Sequence, residues 1–228
     1  MNLENFEIVS FDCYGTLIDW ESGIITVLKN LIANHQINIS AQQILEMFAK
    51  FESEAEAGEY IKYREVLKQV VEKIGKELNF QPTELELNSL ANSIKNWQPF
   101  SDTITALQTL KQKYRLAIIS NIDDDLFADT AKHLQIEFDF VITAQQIKSY
   151  KPSKNNFEMA IKKMEITPEK LLHIAQSIYH DIVPAKAMGL STIWVNRRQG
   201  KEGFGATLPA SEKPDLEVPD LKTLVDLI

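Results

Sequence analysis

The stretch "SFDCYGTLID", residues 10–19, closes an apolar run over 6–11 and leaves one carboxylate, Asp12, at its end. Tyr14 stands two places on, followed by Gly15 and Thr16. A strand that stops on an acid and then turns sharply holds that acid in a fixed pose at its tip. Gly15 permits the turn, and Thr16 offers a hydroxyl to substrate or to Asp12 itself. Such a carboxylate can act as a covalent nucleophile, forming an ester or an acyl-phosphate. A lone Asp there is better explained by a helix or turn cap, so the rest of the chain has to decide.

Working outward, short Ile-, Val- and Phe-rich runs recur at 6–11, 115–120, 138–143, 171–175 and 191–195. They lack clean alternation, which marks strands buried on both faces of a parallel sheet. Amphipathic segments separate the later runs. One follows Pro152 with Ser153 as its expected N-cap, and another opens at "TPEK", with Thr167 capping and Pro168 in the first turn. The segment "DIVPAKAMG" stops on Gly189. Strands alternating with helices predict an α/β fold with a doubly wound parallel sheet.

Residues 18–97 break the rhythm and read as helix throughout, with a capping box at Ser40 and Gln43. The expected organisation is therefore a core of residues 1–17 and 98–228 with an all-helical cap domain, 18–97, inserted after the first strand. In open α/β sheets the site lies outside the carboxyl ends of the strands. Asp12, Ser120 and Asn121, Lys151, and then Gln176, Ser177 and Asp181 all fall after successive strands. A nucleophile, a hydroxyl, an ammonium and a second acid converging there favour an active site over a cap.

This set, in this order, resembles the haloacid dehalogenase (HAD) superfamily, through "FDCYGTLID", "SN", "YKP" and "HDIVPAKAMGLSTIWVNR" followed by "KPDLEVPDL". The resemblance spans essentially the whole chain and implies a Rossmann-like core. It also implies roles. Asp12 is the nucleophile, with Thr16, Ser120 and Asn121 on the substrate's anionic group. Lys151 steadies the charges, and Asp181 places water or metal. Tyr14, Gln176 and Ser177 join the substrate-binding set.

Phosphatases of the superfamily usually carry a second Asp two residues after the nucleophile, to protonate the departing alkoxide. Here Tyr14 stands in that place, as in the 2-haloacid dehalogenase branch. A halide leaves without a proton, and a phenol with a pKa of ~10 is a poor substitute for a carboxylic acid. Gln176 likewise replaces the first acid of the last motif, which weakens the binding of Mg²⁺. The branch in turn places an Asn three residues before the last-motif Asp, where this chain has Ile178. It also brings an Arg from the first cap helices to receive the halide, and residues 18–63 contain none. Arg64, the one Arg in the cap, stands between a substrate role and a solvated helix face. The cap glutamates Glu46, Glu52, Glu54, Glu56 and Glu59 are expected to face solvent, away from an anionic substrate.

The expected function is hydrolysis of a small 2-haloacid through an aspartyl ester, with no cofactor required. Two alternatives remain open: a Mg²⁺-dependent phosphatase holding its metal between Asp12 and Asp181, and a binding or regulatory protein that has lost turnover. The resemblance implies a small anionic molecule as partner, and composition excludes other classes. The net charge of -8 and the absence of a basic stripe argue against nucleic acid. No apolar run approaches the ~20 residues of a membrane span, and the N-terminus lacks the pattern of a secretory signal. A single Cys13 fits a reducing compartment, so the cytoplasm is expected. The resemblance adds a homodimer, as in many family members. Asp123, Asp124 and Asp125 are expected to open and cap the next helix. The histidines His35, His133, His173 and His180, without metal-ligand spacing, are expected at surface or partly buried positions.

Overall fold

A computed structural model describes residues 3–227. Strand β1 (Ile8–Phe11) is followed by the helices of the insert: α1 (Trp20–Asn34), α2 (Ala41–Glu56), α3 (Tyr63–Glu77), α4 (Glu84–Leu87) and α5 (Ser89–Ser93). The alternating part then runs α6 (Thr103–Lys111), β2 (Arg115–Ser120), α7 (Asp124–Leu134), β3 (Phe140–Thr143), α8 (Ala144–Ile147), α9 (Asn155–Met164) and β4 (Leu171–Ala175). It closes with a π-turn (Ile178–Ile182), α10 (Val183–Ala187), β5 (Ser191–Val195), β6 (Leu216–Val218) and α11 (Leu221–Val225).

The six strands form one parallel sheet in the order β3-β2-β1-β4-β5-β6. β1 is central, and successive residues along the strands point to opposite faces, each covered by helices. Val9, Phe11, Leu116, Ile118, Leu172 and Ile174 belong to one buried cluster, while Ile8, Ala117, Ile119 and Leu171 pack against Phe157, Ala160 and Met164 of α9. This two-sided burial is why the strands read as continuous apolar runs. The chain order reverses across the β1–β4 seam, the crevice where open α/β sheets place their ligands. Asp12 sits at that seam, its backbone N–H donating to Ile174 O at 3.1 Å.

The two passages between sheet and helical insert run side by side: Asp19 N donates to Gln98 O at 2.9 Å and Phe100 N to Leu17 O at 3.0 Å. The Ser40–Gln43 capping box is present at the start of α2. Asp123 has a different task from the one expected. As N-cap of α7 it makes no side-chain cap; its carboxylate accepts the backbone N–H of Tyr63 (3.0 Å) and Arg64 (3.1 Å), the first residues of α3. The sheet thus caps a helix of the insert, whose own N-cap residue, Lys62, supplies no side-chain bond.

Other local expectations are corrected. Helix α9 begins at Asn155 with Lys154 as N-cap, so Ser153 lies one residue too early. "TPEK" makes only a 3-10 turn, Pro168–Lys170, because β4 begins at the next residue.

Candidate active site

Gly15 has φ +97, and a Cβ built there would lie 2.7 Å from Trp20 Nε1, so the turn after Asp12 tolerates no side chain. That turn brings Thr16 back onto the nucleophile. Thr16 Oγ1 donates to Asp12 Oδ2 at 2.9 Å and accepts the backbone N–H of Gln176 at 2.9 Å, tying the tip of β1 to the tip of β4. Lys151 is 1% exposed, and its Nζ donates to Asp12 Oδ1 (2.9 Å), Asp181 Oδ1 (2.6 Å) and Ile119 O (2.9 Å), which uses all of its protons. An ammonium therefore bridges the two acids.

The protonation pattern follows from that bridge. Burial pushes Asp12 above its ordinary value and Asp181 adds to this, while Lys151 and Thr16 pull it back. Burial works against a charged Lys151 too, but the two carboxylates win and raise it. Asp181 falls below the usual carboxylate range, because Lys151 and His173 outweigh the cost of its burial. His173 lies at the end of this chain of bonds, fully buried in β4. Its Nε2 is 2.9 Å from Asp181 Oδ1 and its Nδ1 2.9 Å from Ser10 Oγ. It does not sit at the surface.

Asn121 lines the same cavity as Asp12, and its amide is bonded to the Lys151 backbone and to Glu56. Its Oδ1 accepts the Lys151 N–H at 2.8 Å, and its Nδ2 donates to Lys151 O at 2.9 Å and to Glu56. Ser120 Oγ is buried with no partner and lines a cavity of about 30 Å³ over Asp12. That volume holds one or two waters. Tyr14, Ser177, Lys151, Asp181 and Trp20 line the same cavity. The Tyr14 hydroxyl, however, is bonded to Thr130 Oγ1 at 2.8 Å and, held by burial well above its ordinary pKa, is no acid near neutrality.

Gln176 and Arg64 fall elsewhere. The Gln176 side chain packs against Gly15 and lines an outer cleft of about 360 Å³ with Ile178 and Trp194, outside the Asp12 cavity. The guanidinium of Arg64 is paired with Asp125 at 2.7 Å in an exposed position and is absent from the cavity lining. With its donors turned to a surface acid, it is not placed to receive substrate.

The insert contributes groups that were expected in solvent. Glu52 is 3% exposed, lines the cavity and accepts a short hydrogen bond from the Tyr63 hydroxyl. Burial lifts its pKa to about 8, against the pull of the Tyr63 bond and with help from Asp12. Glu56 is also turned inward onto Asn121 and is raised well above its usual range by burial and by Glu52. The signal was present in the helical period, since Glu52 shares a stripe with Ile44, Phe48 and Ala55, all buried. His180 lines the cavity as well, and burial lowers it to about 4, so its ring is neutral. Its Nε2 is buried without a partner.

The donors do not fit a Mg²⁺ site. One oxygen of each acid converges on the Lys151 ammonium, so a cation already occupies the position between them. Asp181 Oδ2 is the one buried carboxylate oxygen here without a partner. Among the described residues no group of three His, Cys, Asp or Glu side chains is placed to hold a metal.

The sequence profile of haloacid dehalogenase-like hydrolases matches residues 6–189. The chain is 26% identical to a haloacetate dehalogenase H-2 of Moraxella sp. (strain B), over 99% of each protein. It is also 26% identical to an (S)-2-haloacid dehalogenase 2 of Pseudomonas sp. (strain CBS-3), over 96% of this chain and 94% of that one. Its fold is similar to that of L-2-haloacid dehalogenase from Xanthobacter autotrophicus solved with chloropropionic acid covalently bound. The TM-score is 0.80 at 21% identity, over 97% of this chain and 98% of that one. No helix among the described residues is long and apolar enough to cross a membrane.

Proposed function

From the premise that the chain belongs to the haloacid dehalogenase-like hydrolase family, we propose that it hydrolyses the carbon–halogen bond of small 2-haloacids through an ester on Asp12. The observation that carries this reading is the pairing around Asp12: a carboxylate held by Thr16 and Lys151, with the Tyr14 phenol bonded to Thr130. Tyr14 supplies no proton to a leaving group and a halide needs none; the poor fit of the donors to Mg²⁺ adds to the case against a phosphoryl group.

In the first step a carboxylate oxygen of Asp12 attacks C2, and the halide departs with the bonding pair. Ser120 Oγ, open and buried, supplies a donor for the substrate carboxylate. In the second step water attacks the carbonyl carbon of the aspartyl ester. Asp181 Oδ2 is free to accept the proton of that water, while Lys151 remains as counter-charge to the acid being regenerated. His173 orients Asp181 from behind through its Nε2–H.

We read residues 1–17 and 98–228 as the core and 18–97 as a cap whose helices α2 and α3 roof the cavity. The side-by-side passages at Asp19–Gln98 and Leu17–Phe100 support that division. The lone, buried Cys13 supports a cytoplasmic setting.

The test is halide release from chloroacetate and 2-chloropropionate in the presence of EDTA. Turnover under chelation is expected. No halide release, together with Mg²⁺-dependent phosphate release from small esters, would transfer the protein to the phosphatase branch.

A further inference from the structure

An in-line displacement expels the leaving group on the side of carbon opposite the nucleophile. Asp12 forms the floor of the cavity at the tip of β1, so the halide is driven toward the roof made by α2 and α3. The groups that roof presents are Glu52 and Tyr63. Among the described residues lining the cavity the one cation is Lys151, and its protons are all spent on Asp12, Asp181 and Ile119 O. No guanidinium reaches this space, since Arg64 is committed to Asp125.

We propose that Glu52, oriented by Tyr63, is the hydrogen-bond donor that receives the departing halide, so that this site does without a cation there. The inference rests on the dehalogenase reading and adds the leaving-group end of it. Tyr63 donates to Glu52 Oε1, so a proton on the other carboxyl oxygen is not engaged by that bond, and Glu52 lines the cavity. Burial keeps Glu52 protonated up to about pH 8. The charged and titratable groups around it are consistent with a proton retained there. Asp12 and Asp181 share the Lys151 ammonium between them, His180 is neutral, and Glu56 on the same helix is itself pushed up.

The step balances without proton transfer: the Asp12 oxygen–C2 bond forms, the C2–halogen bond breaks, and the halide keeps the electron pair. Glu52 retains its proton and shares it with the anion. A neutral donor bonds most strongly to the most basic halide, so its contribution rises from bromide through chloride to fluoride. Fluoride is also the smallest of these, in a cavity of about 30 Å³. The device therefore equips the site for small 2-fluoro acids above all.

Two measurements on the whole chain test this. The first titrates sodium fluoride into wild type, Glu52→Gln and Glu52→Leu, followed by fluorine NMR, well below and well above pH 8. Wild type should bind fluoride at low pH and lose at least about 10-fold in affinity at high pH, since a bond to a charged acceptor is worth that much. Glu52→Gln, which keeps a neutral N–H donor, should lose the pH dependence, and Glu52→Leu should bind weakly at both. The second compares halide release from fluoro-, chloro- and bromoacetate. Glu52→Leu should lose about 10- to 100-fold on fluoroacetate and progressively less on the chloro and bromo acids. Fluoride affinity unchanged by Glu52→Leu, or an equal loss on all three substrates, would overturn the assignment. If wild type releases halide from none of them, the dehalogenase reading fails by itself, while the fluoride titration still decides what Glu52 does.

Discussion

Replacing Lys151 by Met keeps most of the buried stem and removes the charge that bridges Asp12 and Asp181. Taking away one partner of a buried ion pair costs about 3–5 kcal/mol, because the remaining charge is left uncompensated. Here two carboxylates are left, and Ile119 O loses its donor as well. The upper part of that range is therefore expected in urea unfolding at neutral pH. The cost should depend on pH with a defined sign. Without Lys151 the two acids repel, and at least one is pushed further above its ordinary value. A carboxyl raised on folding contributes stability that is lost as pH rises through its folded pKa. The gap between variant and wild type should thus narrow on acidification toward pH 5, by about 1.4 kcal/mol per unit of raised pKa. Activity should move the opposite way. Halide release at pH 7 should fall about 100-fold or more, since Asp12 is protonated there, with partial recovery at alkaline pH. A variant less than about 1 kcal/mol weaker than wild type, with an unshifted rate profile, would refute the role given to the bridge.

Four further outcomes follow from substitutions at single residues. Thr16→Ala removes the donor to Asp12 Oδ2 and orphans the buried N–H of Gln176; halide release should drop about 10- to 100-fold, with a stability loss of about 1–3 kcal/mol by calorimetry. Glu52 is raised on folding to about 8, so wild type should lose stability as pH climbs from about 4.5 to 8. Glu52→Gln should flatten that slope in urea titrations and exceed wild type in stability at the upper end. Asp123→Ala uncaps α3 and should cost about 1–2 kcal/mol, whereas Arg64→Ala should stay within about 0.5 kcal/mol and leave kcat/KM unaltered, both read by thermal melting and steady-state assay.

The parts of the fold that read easily are those where burial is two-sided. β2 and β4 are sealed on both faces, so "RLAIIS" and "LLHIA" could be nothing but interior strands. The same logic held His173 in plain view: a polar residue inside such a strand is buried by its neighbours and must be bonded, here to Ser10 and Asp181. Counting histidine spacings for metal sites hid it. Strand β6 escaped because three residues with a central Glu carry too little apolar signal, and it joins the sheet only through β5.

The site divides along a similar line. Residues at strand tips arrive together because the parallel sheet delivers them there, which made Asp12, Ser120, Lys151 and Asp181 legible as a group. The roof was misread because acidic residues were assigned to solvent by type. Their phase on α2 places Glu52 with Phe48 and Ile44, and a helix turns whatever lies on its apolar stripe inward. Gln176 kept its position after β4, but its buried side chain lines the outer cleft and not the Asp12 cavity.

The central claim is that a carboxyl oxygen of Asp12 bonds to the substrate carbon. A single turnover with enzyme in excess, run in ¹⁸O water and read by mass spectrometry of the peptide containing Asp12, tests it most directly. The account requires heavy oxygen in the Asp12 carboxylate after that turnover and ordinary oxygen in the hydroxy acid released. Label found in the product, with none in the peptide, would mean that water attacks the substrate itself.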